Sequence, residues 1–437
     1  VSEIGWSDLL ASLQPNGSTL DYAAQNPYQG PNGDRRFGIQ KMFWQDGLVI
    51  GGQLLGWFAP TSGPGFPDPS ANFVGWTTAN DSGGPYDGTA VAQEQMAGNG
   101  AHSPVSNDGS VTPAPLFISN GWNDDLDPVD EGVRLYNRIR DLHPDAPVTL
   151  FDLNYGHPPR AGVPREGDIG RLFTAEGAWL QKYLGVSTAY PAVTDPVGGA
   201  TAVTSACGAN DTPIDGTVFH ASTWAGLSPG EIRVDAAATQ TIAPGTAPAS
   251  PYEIEAVTVC TTGSATNTTG AAVVTSPVAP SGGYTILGFP TVVADLGVRG
   301  ANDQVIGRLY DVDPSTNTER LIGRSVYRPT GVGTTSRQVF QLSAQAWKVA
   351  AGHVVKLELL SADSPFVRTA TGQQPVTVSN LQLRLPTADG PGAAGGLVQA
   401  PAPKPLPAGY RLARDVTATG GSGVELTPAA TPTPTPT

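Results

Sequence analysis

The stretch PLFISNGWNDDLDPVDEGVRLYNRIRDLHPDAPVTLFDLNYGH, residues 115–157, decides the fold of the first half of this chain. It contains two short apolar runs, 115–119 and 148–153, with the length and composition of buried parallel strands. Apolar residues recur at helical spacing between the two runs, which predicts a helix over 128–142. The order strand, helix, strand is typical of an open α/β sheet.

The helix over 128–142 carries its own start signal. Asp127 followed by Pro128 is typical of an N-cap residue and a proline in the first helical position. Its basic residues, Arg134, Arg138 and Arg140, fall away from the apolar stripe and are expected at the surface. A second helix is predicted over 170–184, where apolar residues again fall on one side.

The rest of the chain divides by composition. Residues 213–388 contain short runs in which apolar and polar residues alternate, which predicts an antiparallel β-sandwich. One hairpin is expected to join 303–312 to 319–328. Residues 1–186 are interpreted as the α/β domain, with a cap insertion at about 20–112. Residues 187–212 are interpreted as a linker, and residues 389–437 as a disordered Pro/Ala/Thr-rich tail. The fold class is therefore α/β plus all-β.

Composition and charge exclude several function classes. The 437 residues include 24 Lys or Arg and 38 Asp or Glu, a net charge of −14, which argues against a nucleic-acid partner. No apolar stretch is long enough to span a membrane. The low lysine content and the Pro/Thr tail fit a secreted or cell-surface protein, and the abundance of Ala, Gly and Arg fits a bacterial one.

Two cysteines, Cys207 and Cys260, lie 53 positions apart without the spacing of a zinc site, so no metal is expected. They are either buried thiols or one disulfide. A disulfide would connect the linker to the sandwich.

Acidic residues and a histidine follow the two predicted strands. Asp124, Asp125 and Asp127 come after the first strand, and His157 comes after the second. Because functional groups gather at the carboxyl ends of strands in open α/β sheets, an Asp and the His can meet there. Together they are the acid and base of a nucleophile–His–Asp triad, in the chain order of α/β-hydrolases.

Several stretches resemble the Xaa-Pro dipeptidyl-peptidases and the cocaine-esterase-like serine hydrolases. They are GWSDLLASLQPNG (5–17), PLFISNGWNDDLDP (115–128), NYGHPP (154–159) and, in the β-region, VIGRLYDVDPSTNTERLIGRSVYRPT (305–330). The resemblance implies an α/β-hydrolase domain followed by a jelly-roll domain. It assigns the catalytic acid to Asp124, with Asp125 and Asp127 as competitors, and the catalytic base to His157.

The chain departs from that family in one respect. The family's nucleophile lies on a Gly-x-Ser-x-Gly turn, and no such turn precedes a helix in this chain. Ser7 stands in Gly5-Trp6-Ser7-Asp8, which lacks the second glycine. The chain is therefore expected to be a C-terminal fragment, with its nucleophile serine upstream and no activity alone.

The resemblance implies acyl transfer on a peptide or small acyl substrate, with no cofactor. A carboxylesterase or amide acylase is the alternative enzyme, and a non-catalytic glycan-binding protein is the alternative of another class. The Asp-rich segment 311–317 has some features of a calcium loop, but it lacks the glycine and the final glutamate of one. A hairpin turn is the preferred interpretation.

Overall fold

The computed structural model of this chain describes most of residues 110–390 and a few positions outside them. The described residues are 110–124, 128–156, 169–185, 197–211, 213–245, 259–300, 304–329, 331–363, 366–367, 372, 374–390 and 403–406, with Val49, Gly51, Gly52, Leu54, Leu55 and Gly75. Nearly all of the predicted cap insertion and Ser7 lie outside these ranges.

The described ranges contain two helices and sixteen strands with defined bounds. The helices are α1 (Val129–Leu142) and α2 (Ile169–Leu184). The strands are β1 (Leu116–Ile118), β2 (Val148–Asp152), β3 (Gly199–Cys207), β4 (Pro213–Ala221), β5 (Gly230–Asp235), β6 (Gln240–Ile242), β7 (Gly263–Ser264), β8 (Ala272–Thr275), β9 (Tyr284–Gly288), β10 (Thr291–Val298), β11 (Val305–Asp313), β12 (Thr318–Tyr327), β13 (Thr334–Gln341), β14 (Gln345–Val349), β15 (Val354–Leu360) and β16 (Val376–Thr387).

Three parallel strands form the α/β part of the molecule, and the sequence predicts two of them, β1 and β2. Strands β1, β2 and β3 pair in parallel. Val148 and Leu150 of β2 pack with the apolar side of α1, whereas Phe151 packs with Leu172 of α2. Since neighbouring residues of a strand point to opposite faces, the two helices cover opposite sides of the sheet.

The prediction that residues 187–212 form a linker is wrong. This segment contains β3, which pairs with β2 on one side and with β4 on the other. It also makes a bridge to β14, so the parallel strands and the antiparallel strands belong to one eleven-stranded sheet. The sequence GATAVTSAC does not show the alternation of apolar and polar residues that would predict a strand. Its side chains are small, and both faces of the strand are buried.

The second half of the chain forms two stacked sheets. A five-stranded sheet in the order β7-β12-β11-β15-β8 lies against the antiparallel part of the eleven-stranded sheet. One apolar core joins them, with Leu357 of β15, Leu383 of β16 and Trp347 of β14 among its members. The predicted hairpin is present as β11 and β12, and the carboxylate of Asp313 accepts hydrogen bonds within its turn.

Helix α1 differs from its prediction in two details. Arg134 and Arg138 are buried rather than exposed, because the polar side of the helix is covered as well as the apolar side. Asp130 shows one such contact, since its carboxylate accepts a hydrogen bond from the main-chain N–H of Ala344 at 3.2 Å. The helix begins one residue later than predicted, with Pro128 in the N-cap position, and Asp127 lies outside the described residues.

Two connections tie peripheral segments to the sandwich. Cys207 and Cys260 form a disulfide with Cα atoms 5.6 Å apart, which joins the end of β3 to the segment before β7. In the predicted disordered tail, Lys404 donates its main-chain N–H to Gln382 at 3.0 Å. Leu406 packs against the outer face of the eleven-stranded sheet, so residues 403–406 are ordered by contact with it. No described helix is both long and apolar enough to cross a membrane.

Candidate active site

The chain segments that follow β1 and β2 run side by side. Gly121 and Leu153 form a parallel bridge. The main-chain N–H of Trp122 donates to Leu153 O at 3.1 Å, and that of Asn123 donates to Tyr155 O at 3.3 Å. The sheet pairing therefore continues beyond the strands, and residues 120–124 are held beside residues 152–156.

Gly121 is needed for this approach. A Cβ atom at this position would lie 1.9 Å from the carbonyl oxygen of Tyr155, so a larger residue would force the two segments apart. A glycine is therefore required here by close packing of two backbones rather than by an unusual backbone angle.

Asp124 lies where the first of these segments turns away from the sheet. Its main-chain N–H donates to Gly121 O at 3.2 Å, and the residue is only 8% exposed. Burial raises the pKa of the Tyr155 hydroxyl, and the negative charge of Asp124 raises it further. The carboxylate of Asp124 is thus close enough to the second segment to affect a group on it.

The other predicted members of the site lie outside the described residues. His157 follows Gly156, the last described residue of its segment, and Asp125 and Asp127 fall in the gap after Asp124. The structure therefore places Asp124 and the chain leading to His157 together, and the contact between the two side chains stays a prediction.

Asn154 fixes the second segment from its side chain. Its Oδ1 accepts hydrogen bonds from Asn123 Nδ2 at 2.6 Å and from the Ser205 hydroxyl at 2.9 Å. Its Nδ2 donates to Ile214 O at 2.9 Å. The residue therefore links the two segments to each other and to strands β3 and β4, which holds the backbone three residues before His157 in place.

Sequence reasoning missed a buried acid beside the site. Asp152 is 0% exposed, and its Oδ1 accepts a hydrogen bond from the main-chain N–H of Asn120 at 3.0 Å. Burial raises the pKa of this carboxyl well above its usual range. Its Oδ2 makes no hydrogen bond with any described residue. The available signal was a single acidic residue at the end of an otherwise apolar strand.

Tyr155, which precedes His157 by two residues in the chain, was also missed. The charges of Asp152 and of Glu176 on α2 act on its hydroxyl together with that of Asp124. Burial raises the pKa of Glu176 as well. The edge of the sheet is thus an acidic, largely buried region in which a phenol stays protonated at neutral pH.

Aromatic side chains support the Asp124 segment from the sandwich side. Trp122 donates its indole N–H to Val203 O at 2.7 Å. Its ring lies 6.4 Å from that of Trp224, which in turn packs edge-on against Phe289 at 5.7 Å. The sandwich therefore helps to position the loop that carries Asp124.

The described residues of this region do not meet the requirements of a metal site. Among the described residues, no group of three or more His, Cys, Asp or Glu side chains is placed to hold a metal ion. The chemistry available at the described part of the site is that of carboxyl, phenol and amide groups.

No family model matches the chain, and no curated protein matches it. Solved structures to which the chain is similar include an aminopeptidase from a marine sediment archaeon, Thaumarchaeota archaeon, at 12% identity and a TM-score of 0.46, covering 68% of this chain and 57% of that one. An α-amino acid ester hydrolase matches at 13% identity and a TM-score of 0.45, covering 73% and 63%. A CocE/NonD family hydrolase from Staphylococcus aureus matches at 8% identity and a TM-score of 0.38, covering 73% and 62%.

This chain therefore spans about three fifths of the length of each of these structures.

Proposed function

We propose that this chain is part of a serine hydrolase in which Asp124 and His157 are the acid and base of a Ser–His–Asp triad. The hydrogen bond from Asn123 N to Tyr155 O carries the proposal. Asp124 is one residue beyond this bond on one segment, and His157 is two residues beyond it on the other. This register supports a contact of roughly 2.6–3.2 Å between the Asp124 carboxylate and the imidazole.

The proposed reaction is acyl transfer, with each group in a defined role. His157 accepts the proton of the serine hydroxyl while the serine oxygen attacks the acyl carbon, and Asp124 holds the imidazole in the required tautomer. The imidazolium then protonates the leaving group, which departs and leaves an acyl-enzyme. His157 next deprotonates a water molecule that attacks the acyl group, and the acid is released. No cofactor takes part in these steps.

The nucleophile is proposed to lie on a segment that precedes residue 1, because no Gly-x-Ser-x-Gly run within 1–437 joins a strand to a helix. The run Gly226–Gly230 leads into strand β5, and its Ser228 is buried and donates its hydroxyl to Leu287 O. The resemblance of residues 115–128 and 154–159 to Xaa-Pro dipeptidyl-peptidases favours a peptide substrate. A carboxylesterase or amide acylase uses the same triad and is the alternative.

We also propose that the protein acts outside the cytoplasm, at the surface of a bacterium or in its surroundings. The disulfide between Cys207 and Cys260 supports this location, because such bonds persist in oxidising compartments.

Labelling with a fluorophosphonate probe tests the triad. The protein is produced with its preceding reading frame, as wild type and as the variants His157→Ala and Asp124→Asn. Each triad variant is expected to lower the labelling rate by about 10³–10⁴-fold. Asp145→Asn is the matched control, since Asp145 is an exposed carboxylate in the turn before β2, and this variant should label at the wild-type rate.

The position of the labelled serine decides where the nucleophile lies. Residues 1–437 alone are expected not to label, and a modified serine inside this range would overturn the assignment to a preceding segment. A panel of dipeptidyl-nitroanilides and nitrophenyl esters then separates a peptidase from an esterase. Wild-type labelling that persists in both triad variants would exclude the proposed roles of Asp124 and His157.

A further inference from the structure

A cleft lies on the outer face of the eleven-stranded sheet, and its lining includes Trp224, whose ring packs against Trp122 of the Asp124 segment. The cleft is open to solvent, and its enclosed part has a volume of only about 30 Å³. Arg384 lies between Leu383 and Leu385 of β16, both of which belong to the core between the sheets. Since side chains alternate along a strand, Arg384 points to the opposite face, where it lines the cleft with Glu231, Trp224 and Phe289.

Arg384 lines the cleft and has unused hydrogen-bond donors. The residue is 1% exposed, and its Nε donates to Glu231 Oε1 at 3.2 Å. Neither Nη1 nor Nη2 makes a hydrogen bond with any residue in the described part of the chain, although both atoms are buried. Buried donors of an ionised group are rarely left without an acceptor, so this guanidinium is expected to have a partner other than the described residues.

The charge balance at the cleft favours an anion. Glu231 Oε1 also accepts a hydrogen bond from Arg233 Nε at 2.6 Å, so one carboxylate serves two guanidinium groups. These three side chains carry one net positive charge, and of the three only Glu231 and Arg384 line the cleft itself. The described lining of the cleft holds no other ionised side chain.

The other polar groups of the lining already have acceptors. The Ser228 hydroxyl donates to Leu287 O, and Gln341 Nε2 donates to the Thr291 hydroxyl at 3.3 Å. Among the described lining residues, Arg384 is therefore the one whose buried N–H groups lack an acceptor. Two parallel N–H groups of a guanidinium match the two oxygens of a carboxylate.

We propose that this cleft binds the carboxylate of a small organic acid. Nη1 and Nη2 of Arg384 donate to the two carboxylate oxygens, and the rings of Trp224 and Phe289 contact the apolar part of the ligand. The enclosed end of the cleft accepts little more than the carboxylate, and the rest of the ligand occupies the open mouth. This is a second site, and ligand binding there requires no hydrolytic activity.

Titration calorimetry of the folded chain with sodium benzoate tests the site. Wild type is expected to bind one benzoate in a saturable manner. Arg384→Lys keeps the positive charge but cannot donate two parallel hydrogen bonds to a carboxylate. The affinity of this variant for benzoate should fall about tenfold, the effect of losing one good charge-assisted hydrogen bond. Arg337→Lys is the matched control, because Arg337 pairs with Asp295 elsewhere on the same sheet, and its affinity should be unchanged.

A second measurement locates the ligand without depending on the Arg384 variant. The indole N–H resonance of Trp224, assigned with Trp224→Phe, should shift as benzoate saturates the protein. Absence of saturable binding to wild type, or a Trp224 resonance that does not move, would overturn the proposal and leave ordered water as the partner of Arg384. Tighter binding of inorganic phosphate than of benzoate at this resonance would overturn the choice of a carboxylate.

Discussion

The main-chain N–H of Asn120 donates to Asp152 Oδ1 at 3.0 Å, so the segment after β1 is tied to a carboxyl group at the end of β2. That carboxyl group is completely buried. It therefore contributes to holding together the two segments that carry Asp124 and lead to His157, and its protonation state affects how firmly they are held.

Asp152 predicts a pH dependence of stability. Because burial raises its pKa in the folded protein, the unfolded chain loses this proton first as the pH rises above about 3.9. This residue thus lowers the free energy of unfolding between the unfolded and the folded pKa. Asp152→Asn, which stays neutral, should remove that loss, so urea unfolding should show a gain in stability at pH 7 and little change at pH 3. A loss that is larger at pH 7 than at pH 3 would mean that Asp152 is ionised in the folded protein.

Gly121→Ala should separate the two segments of the site. The added Cβ would meet Tyr155 O, and overpacking of this kind costs about 1–3 kcal/mol of unfolding free energy. Fluorophosphonate labelling of the longer protein should fall as well, because Asp124 is displaced. Gly282→Ala is the control, since a Cβ there meets nothing within 4 Å, and it should leave both measurements unchanged.

Lys356 should be essential for stability of the five-stranded sheet. Its ammonium group is buried and lies 2.7 Å from Glu319 Oε2 and 3.0 Å from Glu358 Oε1. Lys356→Met leaves two carboxylates without their cation and should lower the unfolding free energy by about 3–5 kcal/mol. Lys348→Met, at an exposed position of the neighbouring sheet, should change it little. Equal effects of the two variants in chemical unfolding would contradict this account.

The turn between β11 and β12 should titrate at unusually low pH. Hydrogen bonds from the side chain and the main chain of Ser315 lower the pKa of Asp313 to about 2. The stabilisation from this carboxylate is therefore present above the unfolded value and is lost as the pH falls toward 2. Carboxyl carbon shifts followed by NMR should report this pKa, and Ser315→Ala should raise it. An unchanged pKa in this variant would exclude the Ser315 hydroxyl as a cause and leave the main-chain N–H.

The disulfide should stabilise the fold through the unfolded chain. Replacing Cys207 and Cys260 with serine releases a loop closed across 53 positions and should lower the unfolding free energy by about 2–4 kcal/mol. Free-thiol titration of the denatured, non-reduced wild type should detect no thiol. Detection of two thiols, or a double variant as stable as wild type, would contradict the stabilising bond.

The sequence correctly predicted those helices and strands whose own residues show a clear apolar pattern. The runs around Val148 and the helical spacing of Val133 and Tyr136 gave the correct strand and helix, because each pattern reports burial of one element against its neighbours. Strand β3 was not predictable in this way. Its Ala, Thr and Ser side chains carry little periodic signal, and pairing with β2 and β4 creates the strand.

The candidate site shows the same division. The position of Asp124 after a strand was readable from the sequence, whereas the role of Asp152 was not, since it depends on the approach of Asn120 from another strand. The burial of Arg134 was unpredictable for a related reason. An amphipathic pattern identifies the face that packs first, but it does not reveal whether a distant part of the chain covers the other face.

The sheet that continues from β1 through β3 to β14 has a consequence for the modularity of the molecule. A cut placed near residue 187 would remove β3 from its partner β2 and leave an unpaired strand edge on both pieces. The α/β part and the sandwich are thus not independent domains that could be exchanged separately. Recombination that exchanged one of them would have to preserve a shared strand, so the two parts are expected to be inherited, and to melt, together.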